Sequence, residues 1–119
     1  MVFVPSILFS QTKVDEITSI VNHAKVLYDN GNVKGALSLV KDYKNKFEQV
    51  NGGKLLYHKL LGRFYAELSE NDKSEKEFFV IISDTSINAS EKDKAETYFG
   101  IASACLSRGD LRKAEETFL

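Results

Sequence analysis

Small residues recur in this chain at a spacing too regular for an irregular globule. Ala24, Gly62 and Ala102 are separated by 38 and 40 residues, and the pairs Ala36/Val40, Ser74/Phe78 and Ala114/Phe118 keep the same step. Two independent series in register predict a repeated structural unit, because each unit of this length is one supersecondary element stacked on the next. Small side chains at the recurring points let neighbouring helices approach closely enough for ridges to enter grooves. The segment Ile101 to Phe118 shows the unit most cleanly. Ala102, Cys105 and Leu106 form one helical stripe, Gly109 stops that helix, Asp110 caps the next, and Leu111, Ala114 and Phe118 begin a second stripe.

The same grammar reads along the rest of the chain. Thr12-Lys-Val-Asp15 has the form of a capping box, followed by Ile17, Ile20, Val21, Ala24, Leu27 and Tyr28 at steps of three and four. Asn30-Gly31-Asn32 ends that helix, with Asn32 capping a second helix whose apolar face is Val33, Ala36, Leu37, Val40, Tyr43 and Phe47. Asn51-Gly52-Gly53 separates this hairpin from the next. A third helix from about Lys54 to Ser69 carries Tyr57, Leu60, Leu61, Phe64, Tyr65 and Leu68. Asp72-Lys-Ser-Glu75 reads as the cap of a fourth, packed through Phe78, Phe79, Ile81 and Ile82. Ser90-Glu-Lys-Asp93 caps a fifth, with Ala95, Tyr98, Phe99, Ala102, Cys105 and Leu106 on its apolar face.

The expected fold is therefore all-α: antiparallel helical hairpins stacked one after another, with repeats at about 14–50, 54–86 and 91–119. Residues 1–11, MVFVPSILFSQ, are an apolar outlier ahead of the repeat domain at 12–119. They read as a short N-terminal arm or the remnant of a secretory signal, and are too short to span a bilayer. The compartment stays open between cytoplasm and cell envelope. The last hairpin is incomplete by this reading, which predicts a piece of a longer chain or self-association through its uncapped flank.

Leu61-Gly62-x-x-Tyr65 followed by Ser74 and Phe78, with Ala36 to Val40 before it and Gly109-Asp110 then Ala114 to Phe118 after it, resembles the tetratricopeptide repeat family. A HEAT-like helical repeat shares the period but not the Gly-Asp turn followed by Ala-x-x-x-Phe. The resemblance covers about residues 14 to 119 and implies a right-handed α-solenoid that binds protein or peptide on a concave wall. It assigns to that wall Thr18, Val21, Asn22, Lys25 and Tyr28, then Leu56, Lys59 and Arg63, then Glu96, Phe99 and Ser103. Lys25, Lys59 and Arg63 beside Tyr28 and Phe99 form a small basic spot suited to an acidic or C-terminal carboxylate segment. The chaperone-tail clamp of the family is argued against, since it wants other residues at Val21, Lys25, Leu60, Glu96 and Gly100.

Chemistry has no visible foothold. His23 and His58 stand without a metal-ligand set, and Cys105 lies on an apolar stripe where a thiol acts as a small hydrophobe. No glycine-rich phosphate loop or nucleophile elbow occurs. With 16 Lys and Arg against 17 Asp and Glu, a net charge of -1, no global field draws the chain to nucleic acid. The reading is a non-catalytic protein-interaction module without cofactor or metal. The alternatives are an N-terminal sensor or scaffold segment of a longer signalling protein, or a receptor for a small peptide ligand.

Overall fold

A computed structural model describes residues 6–107 and 116–117. Among residues 6–107, six helices follow one another: α1 Ser6–Asp29, α2 Val33–Asp42, α3 Lys44–Glu48, α4 Gly53–Glu67, α5 Asn71–Ser83 and α6 Glu91–Ser107. There is no strand among the described residues. The Gly109-Asp110 turn, the stripe Leu111, Ala114 and Phe118, and residues 1–5 of the apolar arm lie outside them.

Each long helix packs mainly on its neighbours in sequence, α1 on α2, α2 on α4, α4 on α5 and α5 on α6. Two buried clusters succeed one another accordingly. Ile17, Ala24, Ala36, Val40, Phe47, Tyr57, Leu61, Phe64 and Tyr65 form the first. Phe78, Ile81, Ile87, Ile101 and Cys105 form the second. The predicted spacings coincide with burial: Ala24, Gly62 and Ala102 are all buried, as are Ala36 and Ser74. The 40-residue step goes further, since Tyr57, Leu61, Gly62, Phe64 and Tyr65 on α4 match Thr97, Ile101, Ala102, Ala104 and Cys105 on α6, every one buried.

Glycine decides how closely α4, α5 and α6 approach. A β-carbon on Gly62 would stand 2.7 Å from the ring of Phe78, and one on Gly100 would stand 2.8 Å from the same ring. The ring sits against bare backbone on both α4 and α6. Beside it, the Ser74 hydroxyl donates to the Gly62 carbonyl at 2.7 Å, which satisfies a fully buried polar group at a position held by Ala36 in the preceding hairpin.

The two hairpin turns are built alike. In the first, the Gly31 N–H bonds to the Tyr28 carbonyl at 2.9 Å and the Asn32 N–H to the Leu27 carbonyl at 2.8 Å, a Schellman closure with Gly31 at φ 82°. In the second, Ser69 and Glu70 bond to Ala66 and Tyr65 with the same offsets, at 3.0 and 2.9 Å. There the left-handed residue is Ser69, at φ 59°, where a side chain meets the steric cost that glycine escapes. The Asn32 side chain caps α2 by accepting from the Gly35 N–H at 2.9 Å, as its position predicts.

Four expectations need correction. Helix α1 begins by Ser6, so Thr12 lies within the helix and does not cap it; the backbone carries helix across the expected boundary at residue 12. The second helix is not continuous: α2 ends at Asp42 and α3 restarts at Lys44, with Tyr43 between them at φ -106°. This break leaves Tyr43 exposed while Phe47 is fully buried against Tyr57, ring centroids 5.6 Å apart. The α5 helix starts at Asn71 with Glu70 as its N-cap and no side-chain cap bond, so Asp72 falls inside it rather than at the cap. Finally, Phe79, Ala95, Tyr98, Phe99 and Leu106, read as packing residues, are exposed, because α5 and α6 turn Phe78, Ile81, Ile101 and Cys105 inward instead.

The two turns predict opposite effects of matched substitutions. Ser69→Gly should stabilise the protein and Gly31→Ser should destabilise it, each by about 1 kcal/mol, measured as shifts in denaturant midpoint. A Ser69→Gly variant that melts below the parent would contradict the strained cap.

Candidate interaction surface

Helices α1, α4 and α6 carry all the residues expected on the binding wall, and side-chain contacts tie the three together. Between α4 and α6 the tie is ionic. Lys59 Nζ lies 3.1 Å from Glu96 Oε2 and 3.3 Å from Asp93 Oδ1, with its side chain only 30% exposed. Burial alone would lower the Lys59 ammonium, but hydrogen bonds from it to Glu96 and Asp93 more than offset this and hold it above the ordinary lysine value.

Asp93 serves two elements at once. Its Oδ2 accepts from the Ser90 hydroxyl at 2.8 Å and the Ser90 N–H at 3.1 Å, while its own N–H donates to Ser90 Oγ at 3.1 Å. This is the reciprocal capping box that Ser90-Glu-Lys-Asp93 predicts. Its Oδ1 faces Lys59. The Ser90 hydroxyl and backbone bonds, with Lys59 adding to them, hold the Asp93 carboxyl below the usual aspartate value.

Between α1 and α4 the tie is aromatic. The Tyr28 and Phe64 rings are 5.8 Å apart. A hydrogen bond to Glu67, with burial and the charge of Glu67 behind it, raises the Tyr28 phenol above its ordinary value, and the nearby positive charge of Arg63 opposes the shift.

The structure thus brings Lys59 together with Glu96, and Tyr28 against Phe64. It does not leave Lys59 as a free member of a basic spot, because two carboxylates of α6 hold it. Val21, Leu56 and Tyr28 are half-buried at the edge of the first cluster. The Thr18 hydroxyl donates to the Val14 carbonyl in its own helix at 3.0 Å. Asn22, Lys25 and Arg63 are exposed and Ser103 is half-buried. Phe99, one helical turn after Glu96, is 63% exposed, more than Val26, Tyr98 or Leu106.

Sequence reasoning missed the pairing of Lys59 with Glu96 and Asp93 and the role of Glu67. A signal for the first was present: the 40-residue step sets Lys59 opposite Phe99, and a helical side chain leans toward its own N-terminus, one turn back, where Glu96 lies. It also missed the pairing of His58 Nδ1 with Glu77 Oε2 at 2.7 Å, which joins α4 to α5. Tyr57, edge-on to that imidazole, has its phenol pushed up to about 12 by burial, with Glu77 adding to the effect, so it stays neutral and serves packing.

Away from this face, a cleft of about 420 Å³ lies between the α3–α4 turn and the α5–α6 loop, bordered by Glu48, Asn51, Lys54, Ser86 and Asn88. Lys54 donates to Ser86 there at 3.1 Å, and Ser86 to Asp84 at 2.6 Å. Among the described residues no group of three or more His, Cys, Asp or Glu is arranged to hold a metal, and no helix is long and apolar enough to cross a membrane. Comparison with protein-family models, with curated proteins and with solved structures found no match to this chain.

The Asp93 geometry sets a pH signature. A carboxyl whose folded value is depressed stabilises the fold above its unfolded value of about 3.9 and loses that contribution as pH falls through the folded value. The melting-temperature gap between the parent and Asp93→Asn should be widest above about pH 5 and close toward about pH 2. A gap of constant size across that range would contradict the depressed carboxyl.

Proposed function

We propose that this chain is a tetratricopeptide-like interaction module that captures a protein or peptide segment along the face shared by α1, α4 and α6, and that it performs no catalysis. Three features support the reading. Hairpins closed by equivalent Schellman turns pack in sequence order, buried small residues fall at the steps of 38 and 40, and Asn22, Lys25, Arg63 and Phe99, expected on that face, are each exposed.

The observation that carries it is Phe99. A phenylalanine 63% exposed on the helix whose first turns are tied to Lys59 gives that face an apolar anchor held on rigid elements. Arg63 and Lys25 supply exposed cations on the neighbouring helices for an acidic group or a terminal carboxylate in the same segment. A role within a longer signalling protein, as sensor or scaffold, uses the same face and differs only in what is attached.

The test is affinity capture from the source lysate with the parent and with Phe99→Ser/Arg63→Glu, after circular dichroism has shown equal helicity. The double variant spares Lys59, whose ion pairs with Asp93 and Glu96 orient α6. Partners retained by the parent and lost by the variant are expected. Partners held equally by both would overturn the assignment of this face.

A further inference from the structure

We infer that Glu96 is a built-in competitor for Lys59, so that this face binds an acidic segment only by displacing one of its own carboxylates. The inference rests on the α1–α4–α6 face being the binding wall. Of the three cations assigned to that face, Lys25 and Arg63 are exposed, whereas Lys59 is held between two carboxylates of α6.

The two carboxylates are not equivalent. Asp93 is committed to the α6 cap through Ser90, and its side chain is 24% exposed. Glu96 is 48% exposed, and its contact with Lys59 at 3.1 Å is a solvent-facing arm that can swing away at the cost of one ion pair. The space Glu96 leaves beside Lys59 lies one turn from Phe99. An incoming carboxylate there gains a charge-assisted bond to Lys59 while its apolar neighbour covers Phe99. Lys59 keeps Asp93 throughout, so α4 and α6 stay joined during the exchange. The partner this selects is an acidic segment with an adjacent aromatic or aliphatic residue, and the internal pair discriminates against weakly acidic ones.

The measurement is fluorescence anisotropy of a labelled short peptide of alternating glutamate and phenylalanine, titrated with the parent, Glu96→Gln, Lys59→Met, Glu96→Gln/Lys59→Met and Phe99→Ser/Arg63→Glu at low and at moderate salt. Removing the competitor should tighten binding about two- to fivefold in Glu96→Gln, and the gain should disappear in the Lys59→Met background and shrink with salt. A gain that persists without Lys59 would overturn the inference, since it would then be a general charge effect. Equal affinity of parent and Glu96→Gln, with binding still lost in Phe99→Ser/Arg63→Glu, would overturn the competitor role and leave the binding face standing. No binding by any variant would overturn the acidic-partner reading itself, and the inference with it.

Discussion

The ring of Phe78 fills a volume that exists because neither Gly62 nor Gly100 carries a β-carbon, and the stacking of α4, α5 and α6 depends on that fit. A buried phenylalanine contributes on the order of 1.5–3 kcal/mol through the apolar area it removes from water. Here it also sets distance, because any side chain on either glycine would meet the ring at 2.7–2.8 Å. The same ring faces both glycines, so a side chain added at either position meets it. Ser74 completes the contact by donating to the Gly62 carbonyl, so this crossing is both apolar and hydrogen-bonded. Interiors packed at this density respond to a single added methyl, which makes the spacing a fixed property of the sequence.

That spacing positions the surface. With α5 seated between them, α4 and α6 lie close enough for Lys59 to reach Asp93 and Glu96, and the same first turn of α6 is fixed by the Ser90–Asp93 capping box. Electrostatics here follows packing. The ion pairs are part-exposed and individually worth little, so they orient α6 and settle the charge of the face more than they hold the fold. On the other side, Tyr28 joins α1 to α4 through Phe64 while its phenol meets Glu67. Beyond these ties Phe99 stands exposed on α6, one turn after Glu96.

Much of this architecture was legible as periodicity. Small residues at fixed steps, turn glycine at Gly31 and a serine-aspartate box at 90–93 each have one local meaning, and the helices form where they predict. The errors arose where tertiary packing overrides local grammar. Asp72-Lys-Ser-Glu75 has the letters of a cap, yet the Schellman closure at Ser69-Glu70 starts α5 earlier, and Ser74 is taken by the Gly62 carbonyl. Thr12 lost its cap because the helix had already begun by Ser6. The break at Tyr43 carries no proline or glycine, so nothing in the sequence marks it; burial of Phe47 against Tyr57 accompanies it. On the candidate face, residue identities could be assigned to a wall, but not which cations remain free. Lys59 looked like part of a basic spot because its partners lie 34 and 37 residues downstream, where only the 40-residue register between α4 and α6 marks them as neighbours.

The most direct test of this account is a double-mutant cycle on the central contact, with unfolding free energies from urea titration of the parent, Gly62→Ala, Phe78→Leu and the pair. If the ring is held by the missing β-carbon, Gly62→Ala alone costs about 1–3 kcal/mol, and Phe78→Leu recovers part of that loss, giving a coupling of at least about 0.5 kcal/mol. Additive losses, or a Gly62→Ala protein as stable as the parent, would mean that α4, α5 and α6 are not spaced by this contact.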